Sequence, residues 1–243
     1  MVINVKLLLM ELNTKNAGTY EAKATKVSNQ NYKLPEDVTT SYTIGKKQLS
    51  IEGLKAVNRK YNGTNEVALQ GGKLTGVVGN DKVSIDMPKM GTVEKSNAGE
   101  NKAVSYTKSA LSGEDKDNYE LSETAWPALT VTISKTDESN TVITTTQNEL
   151  DKTYDGYEVV DVKSTSNNKT TPVVEYSVKG KNEYTTTKPK DAGEYTVRVT
   201  YPADDNYEKS SVTKDFTIKK MKTRVSAIDL SKTIQEKKVR IDV

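Results

Sequence analysis

Between Gly193 and Ile218 the side chains alternate with the period of a strand. Tyr195, Val197, Val199 and Tyr201 are apolar or aromatic, while Thr196, Arg198 and Thr200 between them are polar. An extended chain therefore turns the first set toward a core and the second toward water. A polar turn follows from Pro202 to Asn206, after which Val212, Phe216 and Ile218 again share one face. The stretch predicts two antiparallel strands joined by a loop. Comparable strands are predicted at Tyr20, Ala22 and Ala24, at Val38, Thr40, Tyr42 and Ile44, and at Leu129, Val131 and Ile133. Between them Leu54, Ala56 and Val57, then Val67 and Leu69, Leu74, Val77, Val78, Val83, Ile85 and Met87 read as short strands, interrupted by Gly71-Gly72 and Gly79-Asn80-Asp81. Those are turn signals at strand spacing. Val104, Tyr106 and Leu111 precede a polar loop from Ser112 to Asn118, and Val159, Val162, Val173, Val174, Tyr176 and Val178 supply a later group of strands. The fold class these patterns predict is all-β.

The pattern repeats. Asp191-Ala192-Gly193 has counterparts in Asn16-Ala17-Gly18 and Asn97-Ala98-Gly99. Each is followed by an Asn-Tyr pair, at Asn206-Tyr207, Asn31-Tyr32 and Asn118-Tyr119, and by a strand ending in Ile218, Ile44 or Ile133. A front signature also recurs, as Lys60-Tyr61-Asn62-Gly63-Thr64 and Thr153-Tyr154-Asp155-Gly156-Tyr157. The period is about ninety residues, which suits a small β-sandwich. The chain divides on this basis into residues 1–44, the closing half of a module; 45–135 and 136–220, two complete modules; and 221–243, the start of another module or a tail. With no front half ahead of it, the first unit reads as a boundary inside a longer protein, residues 1–14 being a partial strand or a non-native segment.

The turn has a physical rationale as a corner. Asp191 can accept from turn amides, Gly193 can take a positive φ, and the Tyr195 phenol can bond back to nearby backbone, as the strand-F tyrosine of immunoglobulin folds does. Gly18 and Tyr20 stand in the same places. Asn97 and Gly99 do too, but there Asn101 replaces the tyrosine, so that corner must be held differently. Asn62-Gly63 and Asp155-Gly156 read as tight turns.

Composition narrows what such modules can do. The chain has no histidine and no cysteine, which removes the commonest general base, the serine triad, disulfides and thiolate metal sites. Lys plus Arg number 36 against 33 Asp plus Glu, interspersed, so no basic patch marks a nucleic-acid partner. The apolar run Val5 to Met10 is too short to span a bilayer. The acidic loops Glu114–Asn118 and Asp204–Asn206 lack the ligand spacing of an EF-hand and read as solvated turns. Trp126, just before a closing strand, reads as core or module contact in preference to a sugar platform. No catalytic, cofactor or metal residue is assigned.

Through the strings Lys60–Thr64, Leu74–Val83, Asn97–Gly99, Leu111-Ser112-Gly113 and Asp117-Asn118-Tyr119, residues 55–135 resemble the YDG form of bacterial Ig-like repeats. Through Thr153–Gly156, Asp191–Val197, Asn206-Tyr207 and Phe216–Lys219, residues 150–220 resemble the MBG form. The resemblance implies tandem immunoglobulin-like β-sandwich modules, partial at both ends, in an extracellular, cell-surface or secreted bacterial protein. It implies a structural spacer whose partners are neighbouring modules of the same chain. The alternatives are an adhesin module binding a host glycan or matrix protein, and an accessory module of an extracellular enzyme. No nucleic acid and no membrane insertion are expected.

Overall fold

Strand alternation reappears as strand register in a computed structural model that describes residues 7–9, 14–36 and 38–223, the first group by backbone alone. The expected further module lies outside the described residues beyond Thr223, as does most of Met1–Thr14. The chain forms two compact units, Met1–Thr136 and Asp137–Val243.

In the first unit β1 (Leu7–Leu9), β2 (Gly18–Val27) and β3 (Thr39–Ile44) form a sheet with β2 in the middle, antiparallel to both neighbours. Part of the apolar run Val5 to Met10 is thus a strand. Of the alternating set on β2, Ala22 and Ala24 are buried.

The chain continues through β4 (Lys47–Glu52), β5 (Lys55–Ala56), β6 (Arg59–Lys60), β7 (Glu66–Gln70), β8 (Lys73–Thr75), β9 (Ser84–Ile85), β10 (Met90–Thr92), β11 (Gly99–Val104), β12 (Leu111–Ser112), β13 (Tyr119–Leu121) and β14 (Leu129–Ser134). They pair as β10-β7-β5, β11-β14-β6, β13-β4-β8 and β12-β9. The inward positions Ile51, Val67, Leu69, Val104, Val131 and Ile133 meet in one core, joined by Trp126. Each fully buried aliphatic side chain there stabilises the fold by about 1.5–3 kcal/mol. Several expected strand positions fall outside strands: Leu54, Val57, Val83 and Met87 in this unit, and Val159 and Val162 in the second. Val77 and Val78 lie outside any strand, and Val78 is exposed, because left-handed glycines at Gly76 and Gly79 bracket the pair. Tyr106 lies two residues past the end of β11 and turns its ring onto Trp126, with 5.9 Å between centroids.

The second unit holds β15 (Val142–Ile143), a one-turn helix α1 (Gln147–Leu150), β16 (Lys152–Thr153), β17 (Ser164–Thr165), β18 (Val173–Val178), β19 (Gly193–Tyr201) and β20 (Ser210–Lys219). Its main sheet runs β16-β20-β19-β18. The predicted hairpin is β19 and β20, antiparallel with Val199 opposite Val212 and Tyr195 opposite Phe216. Val197 and Val199 are fully buried, while Arg198 on the other face pairs with Glu175 at 2.9 Å.

The same small pairing closes both units. Strand β6 lies parallel to the end of β14, and β16 parallel to the end of β20. The next residues, Tyr61 and Tyr154, donate their amides to the carbonyls of Ser134 and Lys219, each at 2.8 Å. The tyrosine of the front signature is thereby tied to the end of the closing strand.

Candidate functional site

The turns singled out by the repeat are built alike in two of three cases. The Tyr195 hydroxyl donates to the Asp191 carbonyl at 3.0 Å, and the Tyr20 hydroxyl to the Asn16 carbonyl at 2.9 Å. Partial burial raises the Tyr195 phenol pKa, with a smaller push from the Asp191 charge. Each tyrosine folds back over the glycine two residues before it. A Cβ at Gly193 would meet the Tyr195 ring at 3.2 Å, and one at Gly18 the Tyr20 hydroxyl at 3.1 Å. This corrects the expectation of a positive φ at Gly193, which is not among the residues with left-handed backbone. Glycine is needed there for close approach of the ring.

At the middle turn, with no tyrosine, the solution is different. Asn101 takes a left-handed backbone with φ 52°, and a bulge interrupts the β11–β14 register between Gly99 and Lys102. The bulge aims Lys102, whose Nζ donates to Asn97 Oδ1 at 3.1 Å. A cation replaces the phenol, and a Cβ on Gly99 would meet only ordinary contacts at 3.7 Å or more.

The Asn-Tyr loops rest on side chains that cap amides. Asn29 Oδ1 accepts from the Asn31 amide at 3.0 Å, and Asp204 Oδ1 accepts from the Asn206 and Tyr207 amides at 2.8 and 2.7 Å. The signal was in the sequence, an Asn or Asp two residues before the Asn. At Asn118 that place holds Lys116, and a 3₁₀ turn over Lys116–Asn118 forms instead. Tyr119 is buried, donates to Asp81 Oδ2 at 2.6 Å and accepts from the Val78 amide at 3.1 Å. The Asp81 carboxylate holds that phenol protonated and raises its pKa.

Asn118 faces the other way, toward the first sheet. Its Oδ1 accepts from the Ala17 amide at 2.8 Å and its Nδ2 donates to Asn16 Oδ1 at 3.2 Å. Lys15 Nζ stands 4.0 Å from Asp81 Oδ1 beside this pair. Two of the sequence's recurring motifs, an Asn-Ala-Gly turn and an Asn-Tyr loop, are thereby brought into contact.

The front turns carry matching Asx caps. Asn62 Oδ1 accepts from the Thr64 amide at 3.1 Å and Asp155 Oδ1 from the Tyr157 amide at 3.0 Å, with Gly63 and Gly156 both at φ 81°. Arg59 and Lys152 reach the same oxygens at 2.7 and 2.6 Å. The Lys152 contact, with the Tyr157 amide, lowers the Asp155 carboxyl pKa.

The acidic loops are engaged by backbone. Asp115 Oδ2 accepts from the Lys82 amide at 2.8 Å, and Asp204 Oδ2 from the Lys169 amide at 3.1 Å. Among the described residues no group of three or more acidic side chains is placed to hold a metal ion, and no helix is long and apolar enough to cross a membrane. An open basin of about 1000 Å³ is bordered by Lys46, Lys108, Lys116, Asp117, Tyr119 and Trp126. Trp126 is only 8% exposed, so its ring is a wall of the core and leaves little face for stacking.

Residues 45–126 match the family model of the YDG domain, the type whose strings the sequence carries in that region. No curated protein and no solved structure matches the chain.

Proposed function

Starting from a YDG domain at residues 45–126, we propose that the chain is a run of immunoglobulin-like β-sandwich modules that serves as a non-catalytic spacer in a bacterial cell-surface or secreted protein. One observation carries this reading. Strand β3 ends at Ile44 and β4 begins at Lys47, so two residues separate the first sheet from the strands of the next. Strand β4 at once lies parallel to β13, with Lys47 opposite Tyr119, and Asn118 next to that tyrosine holds the Asn16-Ala17 turn. A link of two residues with side-chain bonds across it transmits force and orientation, which a spacer requires and a free linker does not give. In this reading the turn and corner residues are structural, residues 136–220 are an MBG-type module, and residues 1–44 are the closing half of another.

Surface display tests it. With a reporter tag placed beyond residues 45–220, duplication of that segment should raise access of a bulky antibody to the tag, and the purified chain should show no saturable binding to host glycans or matrix proteins. Saturable binding abolished by loop substitutions would replace the spacer with the adhesin alternative.

A further inference from the structure

We propose that the Asp191-Ala192-Gly193 turn is one half of an inter-module clasp whose other half is the asparagine of an Asn-Tyr loop on a following module of the same class. This rests on the spacer reading and adds to it a specific contact and a partner chemistry.

The completed form of the clasp is the Asn16-Ala17 turn held by Asn118. The Asp191 turn is built to the same plan. Gly18 is opposite Ile44 and Gly193 opposite Ile218 in the strand register. Both turns are closed by a phenol on the carbonyl four residues back, and both glycines lie under the ring of that tyrosine. This geometry holds the Ala192 amide as it holds the Ala17 amide. Among the described residues, however, the Ala192 amide meets no acceptor, and Asp191 is exposed.

The chemistry selects the partner. A side chain that fills this turn must accept from the Ala192 amide and donate to the Asp191 carboxylate. A carboxylate has no donor and an ammonium no acceptor; a hydroxyl has both on a single atom, whereas a side-chain amide carries them on two, as Asn118 uses them against Ala17 and Asn16. With Asp191 in place of Asn16 the donated bond becomes charge-assisted and shorter. Beside the turn a cleft of about 440 Å³ is walled by Tyr154, Ala192 and Met221, of which Tyr154 is 39% and Met221 64% exposed. It offers apolar surface for the body of the incoming module.

The test uses hydrogen exchange at a single amide. Residues 1–218 are fused directly to a second copy of residues 45–136, so that Ile218 takes the place of Ile44 and the link Gly45-Lys46 is preserved. Exchange at Ala192 should slow by about tenfold or more relative to the natural chain. Asn118→Ala in the appended copy should restore the natural rate, and so should Asn118→Asp, which sets one carboxylate against another. Unchanged exchange at Ala192 in a fusion whose appended Val131 amide is protected overturns the proposal.

A second variant avoids dependence on the fusion folding. In the natural chain, Asn16→Asp should leave the Ala17 amide as protected as before or more so, and Asn16→Asp with Asn118→Asp should release it. Release by Asn16→Asp alone overturns the proposal, because an aspartate turn would then be unable to hold the amide. The two readings also fail separately. Ala192 protection in a chain that binds a glycan saturably removes the spacer and keeps the clasp, and an unprotected Ala192 in a chain that binds nothing does the reverse.

Discussion

At the scale of single residues, Gly-x-Tyr behaves as one structural unit. The ring of Tyr195 needs the missing Cβ of Gly193, and its hydroxyl closes the turn on the Asp191 carbonyl. Gly193→Ala should therefore cost about 1 kcal/mol or more, by overpacking at a site where the stacked Tyr195 and Phe216 rings leave little room to yield. Gly99→Ala meets no such ring, and should be neutral or stabilising by up to about 1 kcal/mol through the restricted unfolded chain. Denaturant unfolding of each variant checks the pair, and equal costs would contradict the close-approach account. Tyr195→Phe should cost about 0.5–1.5 kcal/mol, the net worth of one hydrogen bond. Tyr20→Phe should cost less, since Tyr20 sits in a sheet where Ala22 and Ala24 are the buried apolar side chains among the described residues, so little cooperative structure depends on it.

At the scale of elements, a short helix illustrates how a local signal and a tertiary one combine. Thr146 and Glu149 form a capping box: the Thr146 amide donates to Glu149 Oε2 at 2.6 Å and Thr146 Oγ1 accepts from the Glu149 amide at 3.3 Å. One turn of helix does not persist alone, and this one is anchored by Leu150, which is fully buried. The amide and hydroxyl of Thr146 lower the Glu149 pKa below the usual glutamate range. Because the folded-state value is depressed, this stabilisation is present above the unfolded glutamate pKa and is lost as pH falls through the folded one. Glu149→Gln keeps both hydrogen-bond partners and removes the titration. Below neutral pH, protection of the Leu150 amide should then decline less steeply than in the natural chain, as hydrogen exchange across a pH series would reveal. The acidic loops yield a separate expectation. Their carboxylates already accept from the amides of Lys82, Lys169, Asn206 and Tyr207, so EDTA should leave the melting temperature unchanged. A drop of several degrees reversed by Ca²⁺ would show a site in these loops.

At the scale of the molecule, the feature with most consequence is contact between residues far apart in sequence. Asn118 and Ala17 are brought together by strand pairing: Gly18 sits opposite Ile44, and Lys47, just beyond the link, sits opposite Tyr119. Each partner in the clasp is thus next to a residue paired with the chain on one side of the link. Asn118→Ala should speed exchange at Ala17 and expose residues 14–44 to limited proteolysis, while the amides of β7 and β14 keep their protection. If the first sheet is as resistant in the variant as in the natural chain, the clasp does not hold it.

What the sequence determined by itself is what depends on near neighbours. Alternation assigned Tyr195, Val197, Val199 and Tyr201 to one face of β19, because successive side chains of an extended chain must point oppositely. The Asx-Gly turns at Asn62-Gly63 and Asp155-Gly156 were legible, since a side-chain oxygen two residues before an amide and a glycine tolerant of positive φ suffice to make them. Overall β character followed from the same signals. The capping box at Thr146–Glu149 was equally readable but is easily passed over among strand signals, for it caps only one turn. The tertiary structure decided the rest. Val77 and Val78 have the residue types of a strand, yet glycines on both sides and the demand of Tyr119 for the Val78 amide keep them out of one. The middle corner could not be derived from the absence of a tyrosine. Only the bulge at Asn101 shows that Lys102 reaches Asn97. The second role of Asn118 was likewise hidden, because a local pattern carries no information about which distant turn strand pairing will bring to a side chain. Near-neighbour geometry fixes faces and turns, and long-range register fixes which of them meet.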